Sequence, residues 1–429
     1  MITGGIFYRA ANVIVAFFFG FGLCVFSSAA QSVERSIRVW CHQGQEAENE
    51  AMRQIAHAFN EAHVAQHVWV EITFFPDFQY TEKTAIAAAA HDLPDVFDLD
   101  GPLVARYVNA GLLTPLNGWF DETTVRDFLP SIVEQGTIEG KLYALGSFDS
   151  ALVLYYDRMW FEKAGVLAPP ENSSWTWSEF LDASKRLRAV GIEPVAMHMN
   201  ESADEWYTYA FTPIIWSLGG SLISSDGHTV RGILSSAANV RGLCAWQQLF
   251  KEHFAATDPV DTDPFGHGKT AMDWSGHWMA RSHVVAKGDR LGVMRLPKTG
   301  ERSVAPCGSW CWGISSQTTN PVLAAEWIKW VTDSHNGIAP LVRANGAVPS
   351  RISAFSLFPE YGRPPYELFR AQLENQAQPR PRTPYYATLT QGFAAALRDI
   401  AHGAEVEARL RLAEDQIQKV IDRRSAGSF

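Results

Sequence analysis

Bond-breaking chemistry has few candidates in this chain of 429 residues. Gly266-His267-Gly268-Lys269-Thr270 ends as a phosphate loop ends, but Asp263 stands where the first glycine belongs. Without that glycine the backbone cannot wrap a phosphate. His63 and His67 are four residues apart, in a polar stretch that reads as a solvated helix end and not as a metal pair. No Gly-x-Ser-x-Gly nucleophile turn occurs. Aspartate pairs serve glycosidic cleavage only at separations that a sequence does not give. No catalytic residue, cofactor or metal is therefore expected. What the chain offers instead is hydrogen-bonding groups and flat rings. Gln43 and Gln45 follow one β-rich run, and Asp98 and Asp100 close another. There are 15 tryptophans, among them Trp274, Trp278 and Trp310 beside Gly276 or Gly308.

The elements that must position these groups can be read from periodicity. Residues 37–41 form a short β-rich run, and 46–60 carry Met52, Ile55 and Phe59 at helical spacing. A strand is predicted over 68–74, an alanine-rich helix over 80–91 and a strand over 95–99. Such alternation argues for a parallel sheet covered by helices, with its site at the carboxyl ends of the strands. That puts 41–46 and 98–102 on the rim of a site. A second region starts near Gly140, where Thr176 and Glu179 form a capping box. Later, 308–315 reads as a strand, and Asn320 caps a helix with Pro321 at its first position. Trp327, Trp330 and Val331 share one face of that helix and read as core. Proline-rich breaks at 359–365 and 379–384 lead into a helical stretch over 388–423.

Size and charge narrow the partners. A chain this long suits two lobes better than one core. Lys and Arg number 36 against 46 Asp and Glu, a formal net charge of −10. That surface repels phosphate backbones and anionic lipid, so nucleic acid is not an expected partner. Arg9, the apolar run 13–26 and Ser27-Ser28-Ala29-Ala30 have the order of a secretory signal, predicting a cleaved leader over 1–30 and a periplasmic product. Cys24 lacks the small preceding residue wanted at a lipidated cysteine. Cys41, Cys244, Cys307 and Cys311 are too few for a disulfide scaffold. Cys307 and Cys311 on one extended strand would lie about 13 Å apart, too far to bridge, so they pair only across a turn.

Several ordered blocks carry a resemblance. They are Ile37-Arg38-Val39-Trp40; Leu93-Pro94-Asp95-Val96-Phe97 with Ala110-Gly111-Leu112-Leu113; and Gly140-Lys141-Leu142-Tyr143-Ala144-Leu145 with Leu154-Tyr155-Tyr156-Asp157. Phe161-Glu162-Lys163-Ala164-Gly165, Gly268-Lys269-Thr270-Ala271-Met272, Gly276-His277-Trp278 and Gly308-Ser309-Trp310 follow in the same order. The chain resembles the extracellular solute-binding family that includes the maltose-binding proteins of ABC importers. The resemblance implies an α/β, two-lobed periplasmic-binding-protein fold, each lobe a mainly parallel sheet flanked by helices. Lobe one would comprise 31–148 and 300–336, and lobe two 149–299 and 337–429. It implies a monomer that hands a sugar or polyol to the importer's permease subunits.

A sugar site needs planar rings for C–H faces and carboxylates or amides for hydroxyls. Among residues in segments resembling the family's cleft, Trp206, Trp274, Trp278 and Trp310 are candidate platforms, with Gly276 between two of them. Asp100 and Asp149 fall where the lobes would meet, and Gln43, Gln45 and Asp98 at the strand ends. Where the family often has a stacking aromatic, this chain has Thr390 or its neighbours. Arg343, near the expected third crossing, is the one group that would favour an anionic solute such as a glycerol phosphate. A secreted glycoside-processing enzyme is the other alternative. N-terminal sequencing of exported material should read from near Gln31; a membrane-bound product retaining Met1 would show an uncleaved anchor instead.

Overall fold

Short β-branched runs alternate with amphipathic helices, and the chain folds on that alternation. The structure, a computed structural model, describes residues 35–426 apart from 171–172 and 202–203. The expected leader and Cys24 lie outside the described residues. Strand Arg35–His42 leads into helix Glu46–Ala62, strand Val68–Phe75 into helix Asp77–Ala89, and strand Val96–Asp100 follows. The three strands pair in parallel with Arg35–His42 in the middle. Ile37, Val39 and Cys41 are buried at alternate positions, as a pleated strand requires. Met52, Ile55 and Phe59, on one face of the first helix, join them in the same core.

The two-lobed α/β architecture is as expected, but the second sheet is not mainly parallel. Its order is Glu193–Ala196, Thr270–Gly276, Leu152–Asp157, Leu291–Met294. Only the first pairing is parallel, and both pairings of Leu152–Asp157 are antiparallel. In the first sheet, strand Trp310–Ser315 likewise runs antiparallel to Val96–Asp100. The cause is connectivity. A strand fed by a helical crossover runs parallel to its predecessor, whereas these two arrive directly from the other lobe.

The lobes are tied by three crossings. The first passes through Phe148–Asp149, which pairs with Val348–Pro349. The second passes through Ala305–Cys307, a few residues beyond the expected Gly300, and pairs in parallel with Ala377–Pro379. The third does not fall near Asn336. Helix Ala339–Asn345 packs on Glu46–Ala62, and the Leu129 N–H donates to the Ser350 carbonyl at 2.8 Å. The Ser353 N–H donates to Asp127 at 2.9 Å. These contacts keep 337–353 with lobe one, and the chain returns through Ala377–Pro379. Helices Tyr386–Ala401 and Val406–Ser425 then pack in lobe two. They are two helices, not one stretch, because Gly403 turns the chain at a φ of 101° between them.

Local signals behave unevenly. The capping box is formed, with the Thr176 N–H donating to Glu179 at 2.7 Å and the Glu179 N–H to Thr176 Oγ1 at 3.3 Å. Asn320 precedes helix Pro321–Val331 but makes no cap, its side chain donating to Thr319 instead. Trp274 lies in the middle of strand Thr270–Gly276, fully buried, with its indole N–H donating to the Ala210 carbonyl at 3.1 Å. It is core, not a platform. Truncation leaves a large cavity, so Trp274→Ala should cost about 3–5 kcal/mol of stability. Denaturant unfolding alongside titration of the folded protein checks this, since ligand affinity of the folded fraction should not change.

Candidate functional site

The strand ends and the crossings meet at a cleft of about 460 Å3. On the lobe-one side, Val96–Asp100 and Trp310–Ser315 pair so that Asp100 lies opposite Trp310. The Trp310 indole stacks on the His42 imidazole, with ring centroids 3.8 Å apart and planes 8° from parallel. His42 is held from behind by buried Asp98, which accepts from its backbone N–H at 2.9 Å and contacts Nδ1 at 2.5 Å. Asp98 thus orients the ring that supports Trp310 and does not itself border the cleft. Glu48 and Asn345 complete this side, joined by a 3.2 Å hydrogen bond. Burial raises the Glu48 carboxyl, partly offset by His42 and Asn345.

The lobe-two side is aromatic. Helix Asp204–Trp216 supplies Trp206 and Tyr209, and the turn His277–Met279 supplies His277 and Trp278. Trp278 stands edge-on to Trp206 at 6.3 Å and tilted to Tyr209 at 6.2 Å. Gly276 makes this packing possible, because a Cβ there would lie 2.2 Å from the Trp278 ring. Burial holds His277 neutral, pushed down to about 3, and its buried Nδ1 has no hydrogen-bond partner among the described residues.

Arg380 joins the two sides. It is buried, and its guanidinium grips Asp100 with two bonds, Nη1 to Oδ2 at 3.0 Å and Nη2 to Oδ1 at 2.6 Å. Nη1 also donates to Glu205, which accepts from the Tyr386 hydroxyl as well. Gly308 clears the way, since a Cβ there would lie 2.5 Å from Arg380 Nη2. Burial works against the charge of Arg380, but Asp100 and Glu205 hold it protonated. One cation between two carboxylates leaves an excess negative charge, and burial with nearby Asp100 pushes Glu205 up to about 6 in spite of Arg380. On its other side Arg380 borders a larger groove of about 1110 Å3, which includes Glu134, Asp226 and Arg382.

The model of the bacterial extracellular solute-binding protein family matches residues 43–337. The chain belongs to this family. Its members are solute-binding proteins and not catalysts. Relatives from Brucella abortus and Brucella suis are 29% identical over 124 residues, 28% of this chain and 28% of each of theirs. The chain thus spans little more than a quarter of those relatives. The maltotriose-binding protein of Pyrococcus abyssi is 25% identical over 85% of this chain and 79% of its own. The sugar-binding protein MalE of Xanthomonas citri superposes with a TM-score of 0.79 at 17% identity, covering 91% of this chain and 98% of its own, a likeness of fold.

Within this solute-binding protein, the cleft brings together Gln45, Asp100, Trp206, Trp278 and Trp310 from the sequence-predicted set. The others lie elsewhere. Gln43 is exposed, with its N–H continuing the sheet to the Phe75 carbonyl at 2.8 Å. Trp274 is core and Gly276 lies beneath Trp278. Arg343 is exposed, its guanidinium 5.6 Å from the Phe358 ring, because its helix remains on lobe one. Asp149 is buried in the first crossing, accepting from Ser131 at 2.5 Å, the Ser150 N–H at 2.8 Å and the Gly308 N–H at 3.0 Å. It clasps two crossings together and does not face the cleft. The residues that sequence reasoning missed include Arg380, Glu205, Tyr209, His277, His42, Glu48, Asn345 and Glu201. His277 and Glu205 adjoin predicted tryptophans, so a one-residue extension would have found them.

Burial pushes Asp149 up to about 6, despite the three bonds that favour its charged form. The folded state therefore binds this proton more tightly than the unfolded chain. Its contribution is fully present below about pH 4 and is lost as pH rises through about 6. Asp149→Asn removes the titration. Between pH 4 and 7 the variant's stability should gain on the parent by about 2 kcal/mol, read from urea unfolding at each pH; a constant difference would show that Asp149 is charged throughout.

Proposed function

We propose that this protein is the substrate-binding component of an ABC importer. It captures a saccharide or related polyol between its lobes and presents it to membrane permease subunits. The observation that carries this reading is the two-sided cleft. Trp206, Tyr209 and Trp278 border it from lobe two, and Asp100 and Arg380 border it opposite, fixed by their own ion pair. Ring faces suit the C–H surfaces of a sugar, and charge-assisted hydrogen bonds suit its hydroxyls. The name of the Pyrococcus abyssi relative supports the saccharide class. An anionic solute such as a glycerol phosphate fits poorly. Arg343 faces away, and Arg380 is already engaged by two carboxylates. The secretory order of residues 1–30 supports export.

Ligand would bind one lobe first, and closure of the other would add contacts made only in the closed form. The ligand then shifts the open–closed equilibrium by its extra affinity for that form. Trp278 is the platform to remove. Trp278→Ala should weaken saccharide binding by about 2 kcal/mol or more, the loss typical of a buried aromatic anchor. Asp100→Asn, which keeps size and loses charge assistance, should weaken it by about 1.5–3 kcal/mol. A thermal-shift screen of the exported chain against a saccharide panel, followed by calorimetric titration of each variant, makes the test. Unchanged affinity in both well-folded variants would show that the ligand lies elsewhere.

A further inference from the structure

Four carboxylates border the cleft: Glu48 and Asp100 from lobe one, Glu201 and Glu205 from lobe two. A fifth, Asp98, lies directly behind His42. Against them stand Arg380 and His42. Arg380 is occupied by Asp100 and Glu205 together, and His42 lies between Asp98 at 2.5 Å and Glu48 at 3.9 Å. His277, the other basic side chain bordering the cleft, is neutral. Where all five carboxylates are ionised, which for Glu205 means above about pH 6, negative groups outnumber positive ones by three even with His42 charged. This excess faces indole and phenol rings on the opposite wall, whose π-faces also attract cations.

A neutral polyol can donate hydroxyl bonds to these carboxylates but leaves their charge in place as the cleft closes and water leaves. A cation neutralises it. An ammonium is also all donor, matched to a site rich in acceptors. The His277 side chain borders the cleft, and its buried Nδ1, like the buried Nε of Arg380, has no hydrogen-bond partner among the described residues. Resting on the saccharide reading above, we infer that the preferred ligand is an amino sugar or aminated polyol, its protonated amine lying among the carboxylates of the cleft.

Matched probes decide this. Cellotriose is compared with its glucosamine counterpart, the chitosan trimer, and with N-acetylated chitotriose as a neutral amide control. Maltotriose is compared with amino-deoxymaltotriose. Affinities are read by calorimetry or tryptophan fluorescence at a pH where the amines are protonated. The aminated member should bind at least tenfold tighter than its neutral partner in at least one pair, and the ratio should shrink as ionic strength rises. Glu48→Gln combined with Glu201→Gln should lower the ratio several-fold. Neutral probes binding as well as or better than aminated ones would overturn the cationic class and leave the saccharide reading standing. If neither these probes nor any member of a wider saccharide panel binds, the saccharide reading itself fails, and this inference with it.

Discussion

A single buried guanidinium, Arg380, is held by Asp100 of lobe one and Glu205 of lobe two. Most features of the cleft follow from that contact. A buried cation is tolerable only when paired and hydrogen-bonded, because desolvation alone costs several kcal/mol. The bidentate grip on Asp100 and the bond to Glu205 meet that condition. They also impose geometry. Gly308 must lack a side chain, the strand ending at Asp100 must stop at the lobe interface, and the N-terminal turn of Asp204–Trp216 must point its carboxylate inward. The same helix then delivers Trp206 and Tyr209 to the cleft, and Arg380 lies 5.3 Å from the Tyr209 ring. Charge pairing and aromatic wall are thus one construction.

The lobe-one side is built by relay. Buried Asp98 fixes His42, His42 supports Trp310 by stacking, and strand pairing sets Trp310 beside Asp100. Each step confines the next, so a ring at the cleft is positioned by a carboxylate that never reaches it. Lobe two uses close packing instead, with Trp278 laid against the bare backbone of Gly276. Preorganisation of this kind lowers the ordering cost of binding.

How much of this was legible in the sequence depends on the range of the interactions. The strand–helix alternation over 35–100 was readable because side-chain periodicity is local. Asp100 was readable because ligands gather at the carboxyl ends of parallel strands. Arg380 was not, since it meets Asp100 from 280 residues away and its flanking prolines read only as a break. Asp149 was misread because lying at a crossing does not say which way a side chain turns; here it turns inward to clasp Ser131 and Gly308. Trp274 and Trp278 flank the same glycine, yet one lies within the strand and the other in the turn after it. Only the exact end of Thr270–Gly276 separates core from cleft. The third crossing was misplaced because helix Ala339–Asn345 docks on Glu46–Ala62, a long-range contact with no local signature.

If the lobes close over ligand as proposed, the crossings give a physical reason for closure and binding to be coupled. Asp149 and Ser150 lie at the first crossing, and Gly308 lies just past the second. Asp149 accepts from the Gly308 N–H, and the Ser150 hydroxyl donates to the Gly308 carbonyl at 2.7 Å while meeting the Tyr209 hydroxyl at 2.8 Å. Gly308 is also the residue over which Arg380 passes. The hinge and the site therefore share backbone, and a rotation about the crossings cannot leave the guanidinium and both its carboxylates undisturbed. Opening must loosen Asp100 or Glu205 from Arg380 and expose the freed charge to water, which partly compensates the lost pairing. In the proposed closed form those charges stay dry, and a ligand that adds donors to the excess carboxylate would tip the balance toward it.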